Sequence, residues 1–499
     1  MNATNAGSAV EYDDVQGIVR FGYKHLTEAR YLLLRIADAQ AAREWLGAAP
    51  VATSATATTL PETALHVAFT AAGLRALGVP EEVVGAFSAE FVAGIAGHES
   101  RSRRLGDIGA NAPANWDWGV AGAEPHVLVA LFAAPGKVDA FAASLRTEPW
   151  NGAFMQIACL DTSDLGGVEP FGFTDGISQP VIDWACVRTL RGNKPSYGNL
   201  VAAGEFLLGY ANEYDCYTER PLVAPGGAAD LLPPAEEDSS RRDVGRNGTY
   251  LVFRDLRQDV RAFWSFAKSD ELASAFVGRR RNGDPLVPPA AAPIEGIEKA
   301  AAGAPQNNFT YAGDPQGVLC PFGAHIRRSN PRTADFPAVP SGPLGVVAAM
   351  LGFGKSAFHD DLTSSVRFHR VLRRGREYGS GLSPQEARRP APADEPSRGL
   401  RFVCLNANIA RQFEFLQNAW ISSDSFNGLI GESDPLLGDR EPTPGGRATD
   451  AFVANRKDAA RQRIAGLPRF VTVTGGAYFF LPGLRALRYL LRVGTEGAK

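Results

Sequence analysis

The chain has 499 residues, 45% of them hydrophobic, with 51 Lys and Arg against 54 Asp and Glu for a net charge of −3. That length is enough for two or three domains with well-filled cores, and the near-neutral balance argues against a polybasic surface for nucleic acid or membrane lipid. No apolar run reaches the roughly 18 residues needed to span a bilayer, and Cys159, Cys186, Cys216, Cys320 and Cys404 are scattered without a CxxC pair, which fits a reducing compartment.

The opening MNATNAGSAVEYDD has neither a basic stretch nor an apolar run, so a cytoplasmic location is expected. Residues 31–36 (YLLLRI) read as a buried strand and 39–46 (AQAAREWL) as a helix begun by Asp38. A second strand at 65–69 leads into a helix at 70–77, stopped by Gly78 and Pro80. Strand, helix and strand follow at 126–132, 136–145 and 154–158. This alternation fits an α+β fold with an antiparallel sheet and helices on one face; periodicity alone leaves a parallel α/β sheet open. His66 and His126 lie inside apolar strands and read as packed residues, while His25 and His98 read as surface residues.

Residues 166–180 (GGVEPFGFTDGISQP) break the rhythm with glycines and aromatics around the carboxylate of Asp175. Gly172 and Gly176 bracket it, and glycines at this spacing let a backbone turn tightly against a flat ligand. Taken alone, Asp-Gly is also a common turn dipeptide. Residues 222–243 (LVAPGGAADLLPPAEEDSSRRD) read as an exposed connector. Beyond it come a strand at 250–254 and a helix at 258–266.

The segment 320–332 (CPFGAHIRRSNPR) gives His325 a rigid, turn-bounded place in a chain of only seven histidines. A neutral imidazole is a good donor to iron, and Arg327, Arg328 and Arg332 are suited to carboxylates. The plainer reading is a loop histidine beside solvated arginines. The long stretch 333–363 reads as a lid or an interface element. In 365–379 (SVRFHRVLRRGREYG) six cationic or histidine side chains crowd together, which on its own reads as a solvated face with a structural His369. A strand at 399–408, a helix at 409–420, a strand at 470–481 and a helix at 484–491 complete the chain.

GFTDG, CPFGAHIRRSNPR and VLRRGREYG, in that order, resemble the dye-decolourising peroxidase family. The likeness extends to DDVQGIVRFGY, GLRFVCLNANIARQFEFLQ and FVTVTGGAYFFLPG, and so covers nearly the whole chain. It implies an α+β fold of two ferredoxin-like domains, 1–221 supplying the glycine-rich turn and 244–499 binding haem, with 222–243 between them. It further implies one haem b per chain, hydrogen peroxide and an organic electron donor as substrates, and neither nucleic acid nor a membrane span. Position by position, Asp175 matches the distal acid, Arg373 the distal arginine and His325 the axial ligand of the haem iron. Arg327 matches a propionate partner, Leu400 and Phe402 the apolar pair of the pocket, Asp434 the acid behind the imidazole, and Tyr378 and Trp420 surface radical sites. Two features depart from the family pattern: a long interval from His325 to Arg373, and Glu377 where a proline is common. A haem-binding or haem-handling protein with incidental peroxidase activity is the competing reading, and it has no need of a distal acid.

Overall fold

In the computed structural model, the described residues are 9–56, 60–186, 200–289, 305–332, 366–443, 445–457 and 459–496. The expected lid or interface stretch at 333–363 lies outside them.

Nine strands form one antiparallel sheet among the described residues. They are β1 (Glu28–Ile36), β2 (Thr63–Phe69), β3 (Val127–Ala133), β4 (Phe154–Asp161), β5 (Thr249–Gln258), β6 (Leu372–Arg373), β7 (Arg376–Tyr378), β8 (Gly399–Asn406) and β9 (Val471–Leu481). The order across the sheet is β6-β8-β5-β9-β2-β3-β1-β4, with β7 also on β8. Within the first four strands the order is second, third, first, fourth, and the later strands repeat it. The two halves meet where Phe480 of β9 pairs with Phe69 of β2. The antiparallel ladders remove the parallel α/β alternative.

β-Branched, leucine and aromatic residues at successive positions bury the central strands on both faces. In β5, Leu251 and Phe253 enter the core on one side of the sheet, together with Val403 and Leu405 of β8. Arg254, Leu256 and Gln258 point to the other side, where Leu400 and Phe402 of β8 and Val471 and Val473 of β9 join them around a cavity. The two-residue period of a strand thus gives one face of these three strands to packing and the other to a site.

Helices cover the cavity side. α1 (Ala39–Ala48) starts at Asp38, whose side chain accepts from Ala41 N at 2.7 Å. α2 (Val260–Ala267) and α3 (Asp270–Val277) are capped in the same way by Asp259 and Ser269, and the short α4 (His325–Ser329) follows Ala324. The helix expected at 409–420 is present but widely wound, with Glu414 N donating five residues back to Ile409 O. Phe413, Gln417 and Ile421, four apart, face the cavity from it. Such π-type winding recurs at functional sites. α5 (Leu484–Glu496) closes the chain.

Residues 222–243 are exposed over much of their length, as expected of a connector, but are anchored: Leu222–Val223 pairs with Arg242–Asp243, Ala228, Ala229 and Leu232 are buried, and Asp243 accepts from Arg220 Nε at 2.6 Å. One expectation needs correction: the arginines of 365–379 are not a solvated face. Arg374 donates to Ile18 O and Val19 O at 2.7 and 2.9 Å, and Arg376 to Tyr23 O at 2.8 Å, pinning the early segment 16–26 against β6 and β7. No helix among the described residues is long and apolar enough to cross a membrane.

Candidate active site

His325 opens α4 at the cavity wall, and its Nδ1 lies 2.9 Å from Asp434 Oδ2. Asp434 is fully buried, its Oδ1 accepting from Leu436 N and Leu437 N at 2.9 Å each. Burial alone would lower the His325 pKa, but the charge and hydrogen bond of Asp434 outweigh it and hold the imidazole above its ordinary value. Burial likewise pushes Asp434 up, and the His325 pairing overrides this to keep the carboxyl low. With Nδ1 engaged, Nε2 is the ring nitrogen left to the cavity.

The turn before Asp175 is a small hairpin. Val168 pairs with Thr174, Asp175 N donates to Gly167 O, and Gly172 N donates to Glu169 O at 2.7 Å. Gly172 and Gly176 have φ of +92° and +73°, which residues with a Cβ rarely adopt. Neither glycine lines the cavity; their part is to bend the chain so that Asp175 does. Asp175 Oδ1 accepts from Gly176 N at 2.6 Å and from Arg373 Nη1 at 2.8 Å. Burial raises its pKa, yet the charge of Arg373, the Gly176 amide and the Arg373 hydrogen bond together hold the carboxyl below the usual aspartate value.

His325 and the Asp175–Arg373 pair line one cavity of about 290 Å³. Its apolar wall includes Leu256, Leu400, Phe402, Phe413, Val471 and Val473, and its polar rim includes Arg279, Arg332, Arg370 and His369. No group of three or more His, Cys, Asp or Glu side chains among the described residues could chelate a metal. The imidazole is therefore suited to be a lone protein ligand to a metal whose other ligands come from a macrocycle. Apolar walls for the ring and several arginines for carboxylate arms complete a donor set that fits haem.

No family model matches the chain. The dye-decolorizing peroxidase msp1 of Mycetinis scorodonius is 28% identical over 529 residues, covering 98% of this chain and 90% of that protein. The dye-decolorizing peroxidase AauDyP1 of Auricularia auricula-judae is also 28% identical, covering 97% and 87%. A solved fungal DyP-type peroxidase from Auricularia auricula-judae superimposes with a TM-score of 0.69 at 25% identity, over 97% of this chain and all of that one. The chain is similar over nearly its whole length to dye-decolorizing peroxidases.

Three expected positions look different in the structure. Arg327 does not line the cavity: its guanidinium is buried against Asp314 Oδ2 (3.0 Å), Cys320 O (2.6 Å) and Asp314 O (2.9 Å), under the rings of Tyr311 and Phe322. Two residues on from His325, about 200° around the helix, it faces away from the cavity, whereas Arg332, beyond the helix, lines it. Tyr378 is 7% exposed, with the Arg401 guanidinium 3.7 Å over its ring, and is not a surface residue. Trp420 is 6% exposed and lies edge-on to His369 and Phe415, which stack at 3.7 Å. His369, read as structural, therefore belongs to the cavity wall and connects it to Trp420.

Sequence reasoning also passed over Gln179 and Glu169. Both stand in the run that was singled out for Asp175, so their closeness to it was the available signal. Burial pushes Glu169 up to about 7, against the pull of the Phe171 amide, Gln258 and the Phe173 amide.

Proposed function

We propose that this chain is a haem-dependent peroxidase that reduces hydrogen peroxide and oxidises phenolic or dye-type donors in one-electron steps. The observation that carries this reading is the shared cavity: an acid–arginine pair, Asp175 with Arg373, and the imidazole of His325, backed from behind by the buried Asp434, line the same space. His325 would hold the iron of one haem b. Arg332, Arg279 or Arg370 would meet its propionates, and Leu400 and Phe402 would pack beside the ring. When bound, haem supplies the redox chemistry, storing the oxidising equivalents of peroxide and releasing them singly.

The chain's own residues have separable tasks. Asp175, kept ionised by Arg373, takes the proton from one peroxide oxygen and returns it to the other, which becomes the oxygen of water. Arg373 donates towards charge that develops on that departing oxygen, an effect of about 3 kcal/mol in comparable preorganised sites. Asp434 accepts the Nδ1 proton of His325 and so fixes the ring's tautomer and raises its basicity. The repeated strand order of the two sheet halves supports the reading of two ferredoxin-like units, with the cavity on the later one.

A haem-handling role would require His325 and the cationic rim but would give Asp175 and Arg373 no task. The deciding experiment is an absorption spectrum of the purified protein before and after peroxide. A Soret band that shifts on peroxide addition and returns with a phenolic donor is expected. A haem-loaded protein whose spectrum ignores peroxide would favour the handling role.

A further inference from the structure

We propose that Glu169 is a positioning residue for the proton-transfer acid: its carboxylate holds the 167–175 hairpin in the shape that delivers Asp175 to Arg373. Glu169 is position one of the EPFG turn, and its side chain folds back over that turn. Oε2 accepts from Phe171 N at 3.0 Å and Oε1 from Phe173 N at 3.0 Å. The backbone adds Glu169 N to Phe173 O at 2.9 Å and Gly172 N to Glu169 O at 2.7 Å. Oε2 also accepts from Gln258 Nε2 at 2.8 Å, which ties the turn to the last residue of β5. The rings on either side of Gly172 serve the same end: Phe171 packs on Phe263 at 4.4 Å and Phe173 lies parallel to Trp264. When Glu169 is ionised, at pH above its raised pKa, these are charge-assisted hydrogen bonds, about twice as strong as neutral ones. Two of the three end on amides within four residues of Asp175, so the carboxylate governs the path of the chain into the acid.

The choice of residue type follows from the donors. Three N–H groups converge on this side chain, so a carboxylate, which only accepts, satisfies all of them. A carboxamide would turn an NH₂ towards one of the amides and lose at least one bond. The argument about rate rests on the peroxidase reading; the argument about the turn does not.

The test uses the full chain carrying Glu169→Gln. In the haem-free protein, amide exchange at Phe171 and Phe173, read from peptides spanning 166–180, is expected to be at least about tenfold faster than in the parent, the change that follows from losing one charged hydrogen bond. In the haem-loaded protein the peroxide step is expected to slow by about tenfold or more, with haem content and Soret maximum unchanged. The exchange variant Glu169→Gln with Gln258→Glu returns a carboxylate to the pair and to the cavity, but on β5, away from the turn amides. It is expected not to rescue the rate. Parental exchange and parental rate in Glu169→Gln would overturn the proposal, and so would rescue by the double exchange, which would make charge rather than turn geometry the cause. Should Glu169→Gln fail to fold, Gln258→Leu removes only the β5 tie, and unchanged exchange at 166–180 in that variant would count against the proposal equally. A parent protein inert to peroxide would instead sink the peroxidase reading, while the exchange experiment still judges Glu169.

Discussion

Gln179 and Arg373 clasp each other through two hydrogen bonds: Arg373 N donates to Gln179 Oε1 at 3.1 Å, and Gln179 Nε2 donates to Arg373 O at 3.2 Å. The side-chain amide imitates one rung of a β-ladder. It fixes the loop after Asp175 to β6, four residues from the carboxylate that Arg373 must meet.

Removing this clasp should therefore affect chemistry more than folding. Gln179→Ala loses two neutral hydrogen bonds, each of about 1 kcal/mol, so a loss of about 1–2 kcal/mol of stability is expected. The peroxide step should fall by about tenfold as Asp175 and Arg373 lose their register. Thermal unfolding and stopped-flow rates on the same preparation check both, and an unaltered rate would show that the two residues align without the clasp.

Arg327 and Arg332 are both buried arginines, but only Arg332 lines the cavity. Arg327 pairs with Asp314 and donates to Cys320 O, and truncating one partner of a buried ion pair typically costs about 3–5 kcal/mol. Arg327→Leu should lower the unfolding temperature markedly. Arg332 is equally buried, donating to Asn307 O, Asn307 Oδ1 and Phe309 O, but it also lines the cavity, so Arg332→Leu should reduce haem retention as well as stability. Haem-to-protein ratios and melting curves for the pair test this, and the opposite pattern would return Arg327 to the propionate role.

The sequence made much of the sheet legible because its central strands are apolar on both faces and Asp38 marks a helix start, a signal that needs no tertiary information; the same signal at Asp259 and Ser269 was passed over, and α3 with it. The site residues His325, Asp175, Arg373 and Asp434 were legible only through the family resemblance, and the structure brings the first three to one cavity with Asp434 hydrogen-bonded to His325. Direction was not legible. Arg327, Arg328 and Arg332 are equivalent as letters; the turn of α4 points Arg327 into packed protein, and the chain beyond the helix brings Arg332 to the cavity. The arginines of 365–379 resembled a solvated run because their acceptors, the carbonyls of residues 18–23, are some 350 positions away. Tyr378 and Trp420 were read as exposed because burial of an aromatic by a distant Arg401 or Phe415 leaves no local mark.

That burial changes what the aromatic residues can do. Trp420 touches His369 of the cavity wall, whereas Tyr378 is shielded beneath Arg401. Trp420→Phe is expected to slow oxidation of bulky dyes several-fold while leaving small phenols near parental rates, and Tyr378→Phe is expected to change neither by more than about twofold. Steady-state rates with one bulky and one small donor check this, and equal losses for both donors in Trp420→Phe would indicate a disturbed cavity wall rather than a relay.

The division of labour between Asp175 and Arg373 gives the sharpest test. The carboxyl is held below its usual pKa, so at neutral pH it is ionised and ready to accept a proton. As pH falls through its folded pKa it takes up a proton from solvent, can no longer accept one from peroxide, and the rate declines along an acid limb. The guanidinium stays protonated throughout, so it has no limb of its own. Asp175→Asn should lower the peroxide rate by at least about 10², and what remains should be flat on the acid side. Arg373→Leu removes the nearby cation and hydrogen bond that hold Asp175 down, so desolvation prevails and the carboxyl pKa rises. The acid limb of that variant should move to higher pH on top of a lower plateau. Stopped-flow measurement of the peroxide reaction from mildly acidic to neutral pH distinguishes the two variants. If Asp175→Asn reacts at the parental rate while Arg373→Leu does not, the arginine alone governs cleavage and Asp175 is not the proton carrier.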